Sequence, residues 1–175
     1  TYTGTISETY DISGFMEALK RIEKPVLCKL KIRFVGKVPS AISNRIKDEF
    51  PEMEMELTGY VDHLLSIDYL LRSSLLLLVI PKVENNAGIL TGKFFEYMAS
   101  RKPVLAIGPV NGDLAEIIQE TGCGQIFDYS DAKGISNFIN GIFNSELKSE
   151  PKNIADYSRK GLTEKLSQII ISAGK

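Results

Sequence analysis

Short apolar runs of β-forming residues alternate with longer stretches of helical periodicity along the whole chain, and this alternation restricts the fold more than any other feature. Tyr2 to Ile6, Leu30 to Val35, Met53 to Leu57, Leu75 to Ile80, Val104 to Ile107 and Gln125 to Phe127 read as strands. Between them apolar residues recur at helical spacing. Ile12, Phe15, Met16, Leu19 and Ile22 follow an Asp11 cap and stop at Pro25; Ile42, Ile46 and Phe50 follow Ser40; Leu64, Ile67, Leu70 and Leu71 follow Asp62. Asp113 to Thr121, Ile135 to Phe143 and a closing segment of about 154–171 complete the helices, the last with Leu162, Leu166, Ile169 and Ile170 as its expected buried stripe. Leu75 to Ile80 contains no polar residue, as a central strand covered on both faces requires. The repetition predicts a Rossmann-like α/β fold: a doubly wound, parallel six-stranded sheet of order 3-2-1-4-5-6 with flanking helices, residues 1–175 forming one domain.

Composition narrows the function classes. Lys and Arg number 21 against 22 Asp and Glu, with a formal charge of −1 and no long run of either sign, which gives no sign of a nucleic-acid or anionic-membrane footprint, so polyanion binding is not the default expectation. Cys28 and Cys123 lie far apart, without metal-ligand spacing, and read as buried thiols of a reducing compartment; no metal site is expected. Leu75 to Ile80 is too short to span a bilayer and no secretory leader is visible, so a cytoplasmic location is expected. The sequence starts at Thr1 without an initiator Met and reads as a piece of a longer protein.

In the expected strand order the first and fourth strands lie side by side where the winding reverses, so a ligand should meet the loops after Ile6 and Ile80. Gly4 lies at the first strand; Gly88 and Gly92 follow the fourth. The stretch Asn86 to Ala106 then holds a loop, a helix entered at Thr91-Gly92 and a buried strand entered at Pro103. On a helix, Phe94, Phe95, Met98 and Ala99 fall on one side, expected to be core; Lys93, Glu96, Tyr97 and Ser100 fall on the other, expected to face a cleft.

The segment Lys93 to Ala106, KFFEYMASRKPVLA, resembles the donor-binding signature of group 1 glycosyltransferases of the GT-B fold. The resemblance extends from Tyr2-Thr3-Gly4-Thr5 through Phe34-Val35-Gly36 and Gly59-Tyr60-Val61 to Gly112-Asp113 and Gly122-Cys123-Gly124. It implies the C-terminal half of a retaining, hexosyltransferase-type enzyme that binds a nucleotide-diphosphate sugar as donor, needs no other cofactor, and meets its acceptor on a separate N-terminal domain. It also allows the full-length protein to work at the inner face of the membrane.

Roles follow residue by residue. Glu96 matches the carboxylate that accepts hydrogen bonds from the ribose hydroxyls, a task suited to two acceptor oxygens facing a vicinal diol. The turn Leu90-Thr91-Gly92-Lys93 matches the helix start that sets the diphosphate on backbone N–H groups, with Lys93 adding charge. Gly4-Thr5 matches the glycine loop facing sugar and diphosphate, but the Arg and Lys common beyond it are absent; Lys37 and Lys82 are the nearest substitutes. Gly88 stands where many members carry a sugar-facing Glu, so this branch handles the sugar through the backbone of Ala87 to Leu90 or has lost activity. Val61 and His63 match the loop beside the base, and Asn111 or Asp113 is expected to cap the next helix.

Other classes stay open on the residues alone. Gly88 and the missing bases suit a non-catalytic docking module, and a nucleotide-sugar epimerase shares the architecture. A nicotinamide-dependent enzyme is disfavoured, since the first turn lacks G-x-G-x-x-G and no acid ends the second strand.

Overall fold

The computed structural model describes residues 1–7, 9–147 and 149–173. The chain alternates strand and helix: β1 (Tyr2–Thr3), α1 (Ser13–Leu19), α2 (Lys24–Leu27), β2 (Lys31–Val35), α3 (Ser40–Glu49), β3 (Glu54–Gly59), α4 (His63–Leu71) and β4 (Leu76–Val79). It continues through α5 (Gly92–Ala99), β5 (Val104–Ile107), α6 (Asp113–Thr121), β6 (Gly124–Phe127), α7 (Ala132–Phe143) and α8 (Arg159–Ala173). Tight single turns at Asn86–Gly88 and Ile154–Tyr157 precede α5 and α8.

The strands form two parallel three-stranded sheets, β1-β2-β3 and β4-β5-β6, rather than one continuous ladder. The expected order is therefore matched only in part. Leu77 N–H donates to Thr1 O at 2.8 Å where β1 runs beside β4, but β1 ends after Thr3 and the ladder goes no further. Gly4 is the cause: its φ of +94° turns the chain out of strand geometry. Gly36, at φ +135°, closes the same corner, since a Cβ there would lie 2.3 Å from Gly4 O.

Alternation along β4 builds two cores. Leu77 and Val79 pack with Tyr2, Met16, Phe34, Leu105 and Ile135 under α1 and α7. Leu76 and Leu78 pack with Phe94, Tyr97, Met98, Val104 and Leu114 under α5 and α6. A strand covered on both faces needs side chains without polar atoms on both, which the unbroken leucine run supplies.

Local expectations differ in five places. Ile12, not Asp11, stands at the cap of α1, which has no side-chain cap. Pro25 opens α2 instead of closing α1, consistent with its fixed φ suiting the first turn of a helix. Cys28, at the end of that short helix, is exposed; only Cys123 is buried. α6 is capped by Gly112, with no side-chain cap from Asn111 or Asp113. The closing helix is broken into the Ile154–Tyr157 turn and α8, and its apolar stripe is not buried: Leu162, Leu166, Ile169 and Ile170 are 44–63% exposed. Helical periodicity places these residues on one face, but no element of the described chain packs against it.

Candidate functional site

Helix α5 begins where Thr91 takes an extended conformation (φ −98°, ψ 143°) and ends before Arg101, whose φ of +58° and the following Pro103 block further helix. Its buried stripe is Phe94, Tyr97 and Met98, while Ala99 is exposed. The helix is thus rotated from the expected orientation, and Tyr97 belongs to the core. Its hydroxyl supplies the reason: Thr3 donates to it from N–H at 2.8 Å and from Oγ1 at 3.1 Å. A buried tyrosine needs a partner for its oxygen, and this one ties α5 to β1. Burial raises the Tyr97 hydroxyl to about 12, so it stays protonated.

Lys93, on the first turn, projects toward the glycine corner. Its Nζ donates to the Tyr2 hydroxyl at 2.8 Å and lies 4.3 Å from the centre of that ring and 5.9 Å from that of Tyr10. A Cβ added to Gly4 would meet this Nζ at 3.2 Å. Among the described residues no carboxylate lies within ion-pair distance, and burial brings the ammonium down to about 8, against a weak opposing pull from Glu96. Tyr2 hands its own proton to Thr5 O at 3.0 Å, which leaves its lone pairs for the lysine. The result is a mostly buried cation held by neutral partners, a charge incompletely compensated by the protein itself.

The rest of the turn is also open. Thr91 Oγ1 is buried without a hydrogen-bond partner, and nothing lies within 4 Å of a Cβ built on Gly92. The first N–H groups of any helix lack intrahelical acceptors, so an anion could approach here closely. Leu90 is partly exposed beside the turn. Glu96, one turn on, is half-buried and makes no ion pair or hydrogen bond among the described residues.

Gly4, Thr91, Gly92, Lys93 and Glu96 therefore gather at the carboxyl ends of β1 and β4, with Thr5 exposed on the same loop. Val61 and His63 stand apart, at the end of β3 on the sheet's far edge; His63 is exposed and opens α4, whose cap is Asp62 accepting from Leu65 N–H at 3.0 Å. Lys82 is committed elsewhere, paired with Asp11 at 2.8 Å. Beside Gly88 the atom nearest an added Cβ is Asp113 Oδ2, at 3.8 Å. Tyr2, which sequence reasoning does not single out, and Tyr97, which it places on the cleft side, shape the site from within the core; the available signal is that a buried tyrosine hydroxyl has to be satisfied. No group of three or more His, Cys, Asp or Glu among the described residues is placed to hold a metal ion, and no described helix is long and apolar enough to cross a membrane.

The family described as "Glycosyl transferases group 1" matches residues 1–145. The chain belongs to that family. In fold, the chain is similar to Anabaena HepE in complex with UDP (TM-score 0.69, 14% identity, 98% of this chain and 48% of that one). It is also similar to TarM (TM-score 0.59, 22% identity, 94% and 32%) and to an S. aureus TarM variant in complex with Fondaparinux, alpha-GlcNAc-glycerol and UDP (TM-score 0.56, 18% identity, 82% and 28%). The chain spans less than half the length of these structures, and at such identities the likeness establishes the Rossmann-like, GT-B-type fold. No match to its sequence is found among curated proteins.

Proposed function

We propose that residues 1–175 are the donor half of a two-domain glycosyltransferase, binding a nucleotide-diphosphate sugar at the glycine corner and passing the sugar, with retention, to an acceptor held by an N-terminal domain. The observation that carries this reading is Lys93: a buried ammonium without a carboxylate, beside an orphaned Thr91 hydroxyl and an open helix start. A diphosphate supplies the negative charge and acceptor oxygens that all three lack. The base that members of the family place beyond the first strand is here delivered by α5, since Lys93 Nζ stands against Gly4.

On this reading Glu96, with two unspent acceptor oxygens on the same helix, takes the ribose hydroxyls, and the loop of half-buried Val61 and exposed His63 at the end of β3 is left for the base. The structures of HepE and the TarM variant contain UDP, which makes a uridine nucleotide the first to try. The domain by itself binds donor but does not turn it over, because the transition state has to be enclosed between two domains.

Calorimetric titration of the chain with UDP-, GDP- and ADP-sugars tests the proposal. Binding of one of them, weakened in Lys93→Met and Glu96→Gln, is expected. No heat with any nucleotide would favour the docking-module reading.

A further inference from the structure

We infer that the segment leading into Thr1 from the N-terminal domain runs as an extended strand between β2 and β4, with the residue directly before Thr1 apolar and buried under α1 and α7; this rests on the two-domain reading above.

The backbone on both sides is set for it. β1 pairs Tyr2 with Phe34 and Thr3 with Val35, which places Thr1 opposite Arg33; Lys31 and Ile32 reach further back, pairing on their other side with Glu54 and Met55. Toward β4, the Thr1 nitrogen donates to Leu75 O at 2.8 Å and Leu77 N–H donates to Thr1 O at 2.8 Å. Those are the two bonds that one residue of a parallel strand makes with its neighbour, so Thr1 is already a ladder residue on that side. One step back along the chain lies between Ile32 and Leu75, and the next between Lys31 and Ser74. Burial and the Arg33 charge lower the Thr1 amine from 8.0 to about 5, a penalty that an uncharged peptide nitrogen avoids.

There is space for side chains as well. A cavity of about 250 Å³ lies against Thr1 between these two edges, lined by Ile32 and Leu75 and by Leu19, Ile139 and exposed Phe143. Side chains alternate along a strand. Tyr2 packs into the core under α1 and α7, while Thr1 turns the other way, its Oγ1 accepting from Ser73 Oγ at 2.6 Å. The residue before Thr1 shares the Tyr2 face and meets Leu19, Ile139 and Phe143, whose side chains offer no polar atom, so it has to be apolar. The one before that shares the Thr1 face beside Ser73 and tolerates a polar group. A chain that spans less than half of its structural neighbours leaves ample sequence for such a segment.

Hydrogen exchange in the full-length protein, compared with the chain 1–175, tests the inference. Amides of residues 31–33 and 75–77 are expected to exchange at least about tenfold more slowly in the full-length protein, with those of β6 little changed. In the full-length protein, Asp in place of the residue directly before Thr1 is expected to lower the denaturation midpoint clearly, and Asp one position earlier to lower it little. Phe143→Ala is expected to lower the midpoint more in the full-length protein than in the chain 1–175, because only there is the ring covered. Equal exchange at the slot amides, or a polar residue directly before Thr1, overturns the strand. Failure of UDP to bind removes the donor site and leaves the exchange result standing.

Discussion

Lys93 Nζ donates to the Tyr2 hydroxyl at 2.8 Å while lying 4.3 Å from the centre of the same ring, so the first lysine of α5 and the first tyrosine of β1 form a neutral cradle around a charge. A cation–π contact and one hydrogen bond offset part of the loss of water, but not as a carboxylate would. Desolvation accordingly lowers the ammonium from 10.5 to about 8. Such a site is poised for an external anion.

Replacing the lysine separates its cost from its use. With the folded value below the unfolded one, the burial cost is present in full below about pH 8 and is relieved as pH rises toward 10.5. Lys93→Met is therefore expected to be at least as stable as the parent at pH 7, with any advantage shrinking by pH 10. Urea midpoints at the two pH values check this. UDP affinity should fall about tenfold at pH 7 in the same variant, the loss of one charged hydrogen bond.

Binding should also move a proton. A diphosphate beside Nζ favours the charged form and lifts its pKa, so near pH 8.5 a nucleotide sugar is expected to bind with proton uptake. Titrations in buffers of different ionisation enthalpy should then give different apparent heats at pH 8.5 and equal heats at pH 7. Buffer-independent heats at both pH values would place the phosphates away from Lys93.

Tyr97→Phe strands the Thr3 N–H, which donates to the hydroxyl at 2.8 Å in a fully buried setting. A buried donor left unsatisfied costs about 1–3 kcal/mol, so the denaturation midpoint should drop accordingly. Because the same bond joins α5 to the glycine corner, hydrogen exchange at Gly4 and Thr5 should quicken more than at β6.

Glu96 is testable through the ribose it is proposed to hold. The parent should prefer UDP to 2′-deoxy-UDP by about tenfold, and Glu96→Gln should erase most of that preference. An unchanged preference would assign the ribose to another residue.

The buried face of α5 and the exposed stripe of α8 should differ sharply in their tolerance of substitution. Phe94 is fully buried, and Phe94→Ala is expected to cost about 3–5 kcal/mol. Ile169 is 63% exposed on α8, and Ile169→Ser should stay within about 0.5 kcal/mol of the parent.

Much of the architecture can be read from residues near one another in the chain. The leucine run of β4, the bounds of β5 and α6, and the Asp62 cap of α4 match their sequence reading because strand burial, periodicity and capping are decided within a few residues. Glu96, Lys93 and Gly92 were legible as a group for the same reason, lying within one helix and its entry.

Only the folded chain decided what stands against what. Periodicity assigns residues to a face but does not say which neighbour covers it, so Tyr97 turned inward to Thr3, Ala99 turned outward, and the stripe of α8 met solvent. The shortness of β1 follows from the approach of Gly36 to Gly4, and the cradle of Lys93 from contacts 91 residues apart. Each is a long-range contact, settled by packing and desolvation rather than by local preference.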